Sequence, residues 1–154
     1  MNKIIHTQVD GKELEHHNNG DYEYYQKKIV SGDEAKQCIV SVYELPPKKS
    51  SYPYHYHLET EECFYIISGL GLLKTPEGEK QVNAGDIIFF PANKQGAHKL
   101  TNTSESENLV YIDFDTTNHV DVVLYPDSNK VGVYNKDFSQ LHMTENNVDY
   151  FEGE

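Results

Sequence analysis

Residues 53–69 read Pro-Tyr-His-Tyr-His-Leu-Glu-Thr-Glu-Glu-Cys-Phe-Tyr-Ile-Ile-Ser-Gly, and the rest of the chain is organised around them. One residue separates His55 from His57. In an extended segment alternate side chains share a face, so both imidazoles project to one side and Tyr56 to the other. Glu62 opens the apolar run 63–67, and a turn through residues 58–60 returns its carboxylate to the histidine pair. The fourth donor is expected from a strand distant in sequence. His98 is the candidate, reached through Gly85-Asp-Ile-Ile-Phe-Phe-Pro91 and then residues 92–97.

A lone His-x-His is a weak signal. Glu62 and His98 turn it into a ligand cluster. Three imidazoles and one carboxylate suit one divalent transition metal, Mn, Fe, Co, Ni, Cu or Zn, and affinity alone does not choose among them. A six-coordinate ion on four protein ligands keeps two positions for water, oxygen or substrate.

These residues resemble the two motifs of the cupin superfamily. The first is Gly, five residues, His-x-His, three or four residues, Glu, six residues, Gly. His55, His57, Glu62 and Gly69 match it, with Lys49 where the leading Gly belongs. The six residues up to Gly69 select Glu62 over Glu61. The second motif is Gly, five residues, Pro-x-Gly, two residues, His, three residues, Asn. Gly85, Pro91, His98 and Asn102 match, but the interval from Pro91 to His98 is two residues longer and its glycine falls at Gly96. The resemblance covers roughly residues 37–115. It implies an all-β, double-stranded β-helix (jelly roll, cupin barrel) and a metal held by His55, His57, Glu62 and His98. It does not imply a reaction, because one fold hosts many chemistries.

Composition narrows the field. A chain of 154 residues is expected to form one domain with a real core. Twelve Tyr, no Trp and 37% hydrophobic residues suit a β-rich fold. A formal net charge of −12 argues against nucleic acid and anionic membrane surfaces as partners, since the long-range field repels both. All 13 basic residues are lysine. With no arginine fork, an anionic substrate must be held by lysine, backbone amides or the metal, which argues against a phosphosugar isomerase. Two cysteines, Cys38 and Cys63, make no disulfide framework. No signal peptide or membrane-length apolar window is present, so a cytoplasmic location is expected.

Strands are expected at 22–30, 37–45, 62–68, 72–75, 80–82, 87–90, 98–102, 108–114, 120–125 and 131–134, separated by Gly, Pro and Asn turns. Gly69-Leu-Gly71 reads as a tight hairpin and residues 11–20 as a polar loop. The expected organisation is N-terminal strands packing on the barrel (1–36), a cupin core (37–115), then an extra C-terminal hairpin and a loosely held acidic tail (116–154). The hairpin presents an edge that a second copy would cover, so a homodimer is expected.

Other residues carry plainer readings. The adjacent His16 and His17 point to opposite sides of any extended chain and read as solvated loop histidines; His6, His119 and His142 read as surface. Cys63 alternates away from the metal and reads as an inert buried thiol. Phe64, Ile66 and two of residues 87–90 should line the barrel. Asn102 should fix a loop, whereas Tyr54 and Tyr56 fit either rim or core. No second acid or base accompanies the ligands in the motif stretches.

The catalytic residues stay unknown at this stage. Two function classes fit: a metal-dependent enzyme (dioxygenase, isomerase or lyase) acting on a small oxygen-rich molecule, and a non-catalytic small-molecule binding or sensing cupin. A structural barrel with vestigial histidines is a third reading.

Overall fold

Short alternating segments broken by Gly, Pro and Asn cannot bury a face alone, so they pair into sheets and stack. A computed structural model of the protein describes residues 4–154. In chain order the strands are β1 (Glu15–Asn19), β2 (Tyr22–Val30), β3 (Cys38–Leu45), β4 (Tyr56–His57), β5 (Glu62–Ser68), β6 (Leu70–Thr75), β7 (Gly78–Asn83), β8 (Ile87–Phe90), β9 (Lys99–Asn102), β10 (Leu109–Thr116), β11 (Val120–Tyr125), β12 (Lys130–Asn135) and β13 (Ser139–Met143). Among the described residues there is no α-helix, and no helix long and apolar enough to cross a membrane.

The strands form three sheets, ordered β1-β2-β3-β10-β5-β8, β13-β12-β11-β4 and β7-β6-β9. Consecutive strands often lie in different sheets, and the chain winds between them as a double-stranded β-helix. Tyr43, Leu45, Phe64, Ile66, Leu73, Phe90, Leu100, Leu109 and Tyr111 make the core. Side chains buried this fully contribute roughly 1.5–3 kcal/mol each. The expected alternation holds: Phe64, Ile66 and Phe90 are buried and Ile88 packs against the core, whereas Ile87 and Phe89 face out.

Several local expectations are corrected. Gly69 does not start a hairpin, because β5 pairs with β10 and β8 while β6 pairs with β7 and β9. It is the crossover between sheets, at φ +85, where a Cβ would stand 2.5 Å from the Asn108 carbonyl oxygen. Only glycine tolerates both. Residues 15–19 are a strand, not a loop: His16 stacks on Tyr25 at 4.4 Å and His17 on Tyr24 at 4.6 Å. The acidic tail is also partly ordered, since β13 pairs with β12 through five residue pairs. The hairpin β11–β12 is flanked by β4 on one side and β13 on the other, so it is no free edge. Cys63 is half-buried rather than buried.

Candidate metal centre

The site is joined across its two halves by backbone. His55 N–H donates to the His98 carbonyl at 3.1 Å, and His98 N–H donates back to His55 at 2.9 Å. This isolated antiparallel bridge sets the two imidazoles side by side, with ring centroids 4.8 Å apart. His57 continues the extended segment in β4, opposite Val123 of β11. Glu62 is the first residue of β5, so the turn through residues 58–60 does return its carboxylate to the histidines.

Both departures from the motif spacing have a local cause. The two extra residues after Pro91 are taken up by a 3-10 turn at Lys94–Gly96, begun by Asn93 Oδ1 accepting from Gln95 N–H. Gly96 packs so closely there that a Cβ would lie 2.0 Å from the Pro91 carbonyl oxygen. Where the leading glycine is missing, positive φ falls on Lys48 (φ 64) rather than on Lys49.

Each imidazole is held from behind by Nδ1. His55 Nδ1 donates to the Pro53 carbonyl at 2.8 Å, His98 Nδ1 to the Gly96 carbonyl at 2.9 Å, and His57 Nδ1 to Asp121 Oδ2 at 2.5 Å. A carbonyl or carboxylate oxygen only accepts, so Nδ1 carries a proton and in the neutral ring Nε2 keeps its lone pair. Those lone pairs face Glu62: its Oε2 is 3.4 Å from His98 Nε2 and its Oε1 3.7 Å from His57 Nε2. One donor atom each of His55, Glu62 and His98 lies within 4.8 Å of the others. Two imidazole nitrogens, from His55 and His98, and a Glu62 oxygen therefore converge, while His57 stands beside that group with its Nε2 3.7 Å from Glu62 Oε1; the donor chemistry fits a divalent transition metal.

Burial shapes the electrostatics. It lowers the pKa of His55 to about 4, assisted by the nearby His57, and puts His98 well below the ordinary imidazole range. Burial raises Glu62 to about 7 against the opposing pull of His57. At His57 burial also disfavours the cation, but the Asp121 hydrogen bond and the charge of Glu62 leave its pKa raised. His55 and His98 are thus neutral donors near pH 7, as ligation requires.

An open cavity of about 1000 Å³ reaches the centre from one side, lined by His57, Glu62, Asp115, Asp121, Lys36 and Lys136 among others. Asp121 was missed from sequence: it lies in the C-terminal hairpin, 64 positions from His57, and only the pairing of β11 with β4 brings them together. Asp113 and Asp115 were missed too, although they stand at alternate positions of β10. They bring carboxyl groups beside Glu62 from outside the two motif stretches. Of the remaining sequence readings, Asn102 does fix loops and Tyr54 is core, while His119 is exposed and lines the outer cavity.

Two predictions arise here. Asp121→Asn keeps the shape of the contact but removes the charge that orients His57, so metal affinity should fall about 10–100-fold, measured by competition with a chelating dye. The second concerns metal-free protein. With Glu62 at about 7 folded against its ordinary 4.5, the folded state holds a proton that the unfolded state has released, so stability falls as pH rises through that window. Asp113, Asp115 and His57, also raised, act with the same sign. His55 and His98 act oppositely as pH drops below about 6.5. Metal-free protein should therefore melt higher near about pH 6.5 than near about pH 8, and metal loading should reverse the order because ligation needs deprotonated groups.

Comparison with known proteins agrees with this geometry. The family model described as a cupin domain matches residues 41–115, a segment holding both histidine motifs. Residues 41–115 form a cupin domain. A candidate sugar phosphate isomerase from Acidithiobacillus ferrooxidans superposes with TM-score 0.81 at 25% identity, covering 92% of this chain and 91% of its own. A cupin-superfamily sugar phosphate isomerase from Silicibacter pomeroyi gives TM-score 0.81 at 18% identity, covering 90% and 92%. A polyketide cyclase from Streptomyces resistomycificus gives TM-score 0.63 at 19% identity, covering 74% and 80%. No curated protein matches this cupin in sequence.

Proposed function

We propose that this cupin is a metal-dependent enzyme that moves a proton within a small hydroxycarbonyl substrate, an isomerase or lyase reaction, with His55, His57, Glu62 and His98 as the metal ligands. The observation that carries the reading is the cluster of His55, Glu62 and His98, with His57 Nε2 3.7 Å from Glu62, beside an open cavity lined by His57 and Glu62 together with Asp115 and Asp121. A divalent ion in such a set supplies a Lewis acid that polarises a substrate carbonyl. Pro53, Gly96 and Asp121 keep the imidazoles aimed. Phe64 and Phe90, packed against His98, keep water from the rear of the site. The substrate enters past His57 and Glu62, and carboxylates at the cavity wall accept and return the proton.

Two observations bear on substrate class. The Acidithiobacillus relative is a candidate sugar phosphate isomerase, and the cavity wall carries Lys36 and Lys136, neither of which pairs with a carboxylate among the described residues. Lysine is the cation this arginine-free chain has for a phosphate. The test is proton NMR of metal-loaded protein with aldose and ketose phosphates in deuterated water. Deuterium should enter the carbon beside the carbonyl, and not with His57→Ala. Tight substrate binding without exchange would instead establish a binding module. Replacing Lys36 and Lys136 together by glutamine should raise KM about tenfold or more while sparing kcat, since a charge-assisted phosphate contact is worth ~1.5 kcal/mol.

A second copy is the proposed protein partner. The outward residues Cys63, Tyr65, Ile87, Phe89 and Phe114 are neighbours by strand register on β5, β8 and β10. All four apolar members are more than 40% exposed, and they form one uncharged patch on this acidic protein. Phe89→Lys should shift the molar mass in light scattering from dimer to monomer; an unchanged mass would refute the assignment.

A further inference from the structure

Asp113 and Asp115 are alternate residues of β10, so both project from the face that carries the buried Tyr111. Register sets Asp115 opposite Glu62 on β5, and Asp113 opposite Phe64. One oxygen of each of Glu62, Asp113 and Asp115 lies within 4.8 Å of the other two. Asp113 is only 4% exposed. Among the described residues no lysine pairs with any of the three, and the ion-pair partners of Glu62 are His57 and His98.

Three carboxyl groups this close in a weakly polar interior repel strongly unless something neutralises them. A proton shared between Asp113 and Asp115 would engage one oxygen of each. It would leave the others stranded, and Asp113 Oδ1 and Asp115 Oδ1 are both buried without a hydrogen-bond partner. Buried acceptors are rarely left so. A cation answers both features at once, by cancelling charge and by accepting the free lone pairs. Glu62 and Asp115 line the cavity, which gives an ion and its remaining waters a path from solvent.

We propose that Glu62, Asp113 and Asp115 form a second cation site for a hard divalent ion such as Mn2+, Mg2+ or Ca2+, with Glu62 shared between it and the histidine site. Oxygen-only donors select hard cations, whereas the imidazole-rich set beside them selects softer ones, so the two sites fill with different metals. The inference rests on the first site only for the sharing of Glu62, since Asp113 and Asp115 belong to the second alone. Two ions flanking one carboxylate would clamp two oxygens of a substrate.

The test uses metal-free protein loaded with zinc, freed of excess, and titrated with Mn2+ while electron paramagnetic resonance follows the free ion. Wild type should retain one zinc, take up one Mn2+ and melt at higher temperature with it. Asp113→Asn should keep the zinc and lose Mn2+ affinity by more than about tenfold. Asp115→Asn, at a less buried position, should behave alike and guards against a folding defect in the first variant. His98→Ala should lose zinc yet still bind Mn2+. Mn2+ bound without any zinc in wild type would support this site if Asp113→Asn loses it and His98→Ala keeps it; Mn2+ lost in His98→Ala and kept in Asp113→Asn would place the ion at the histidines and overturn the second site. Wild type that takes up no Mn2+, or aspartate variants that bind it equally well, would overturn the second site.

Discussion

Replacing His98 by alanine should abolish zinc binding at the proposed histidine site and lower the melting temperature as well. His98 is 2% exposed, stacks on Phe90 with ring centroids 3.7 Å apart, and meets Phe64 edge-on at 5.4 Å. The backbone bridge to His55 survives the substitution, so the remaining ligands stay in place. What disappears is one of four donors, and affinity should fall by more than about 100-fold, beyond the effect of removing an orienting partner. The space left behind costs about 2–3 kcal/mol, by analogy with other large-to-small changes in packed interiors. In a domain of this size that is a drop of roughly 5–10 °C in melting temperature. Because burial keeps His98 neutral, no charge is stranded by its loss. Titration calorimetry and scanning calorimetry on the same variant check the two effects; an unchanged zinc affinity would remove His98 from the ligand set.

Asn102→Ala should produce the largest loss of stability without touching a ligand. Asn102 is fully buried. Its Nδ2 donates to the carbonyls of Leu45 and Glu107, each at 2.8 Å, and its Oδ1 accepts from Ser104 N–H at 2.9 Å. One side chain thus joins the end of β3 to the loop that leads into β10. Alanine leaves these groups unsatisfied, and the Leu45 carbonyl has no ready access to water. At ~1–3 kcal/mol per stranded buried group, the total is about 3–5 kcal/mol. Urea denaturation should show the midpoint falling with little change in slope; a loss under about 1 kcal/mol would mean that water replaces the amide.

Much of this fold was legible in residues 37–115 because each strand carries a clear alternation and each turn its Gly, Pro or Asn. Residues 87–90 show the limit of that reading: four apolar side chains in a row do not say which two face inward, and only pairing with β5 decides. The same ambiguity hid Asp113 and Asp115. In β10 both faces are apolar, Leu109 and Tyr111 on one and Val110, Ile112 and Phe114 on the other, so the aspartates could have been taken for solvent-facing. Asp121 was hidden for a different reason, since its role depends on a pairing between segments that sequence does not connect. β1 and β13 were missed because polar residues form them; stacking on Tyr24 and Tyr25 orders the first, and backbone pairing with β12 the second. Of the proposed metal donors, His55 and His57 were visible because their spacing follows the strand period, and Glu62 and His98 because they stand at the motif intervals.

The most direct measurement is elemental analysis of wild-type protein purified without chelator or affinity tag, repeated after reconstitution with zinc, manganese and iron. The histidine assignment predicts about one equivalent of a transition metal per chain, removed by chelator and restored on reconstitution. Protein that carries no metal and takes up none would contradict the assignment of His55, His57, Glu62 and His98, leaving a cupin barrel whose converging histidines do no more than pack.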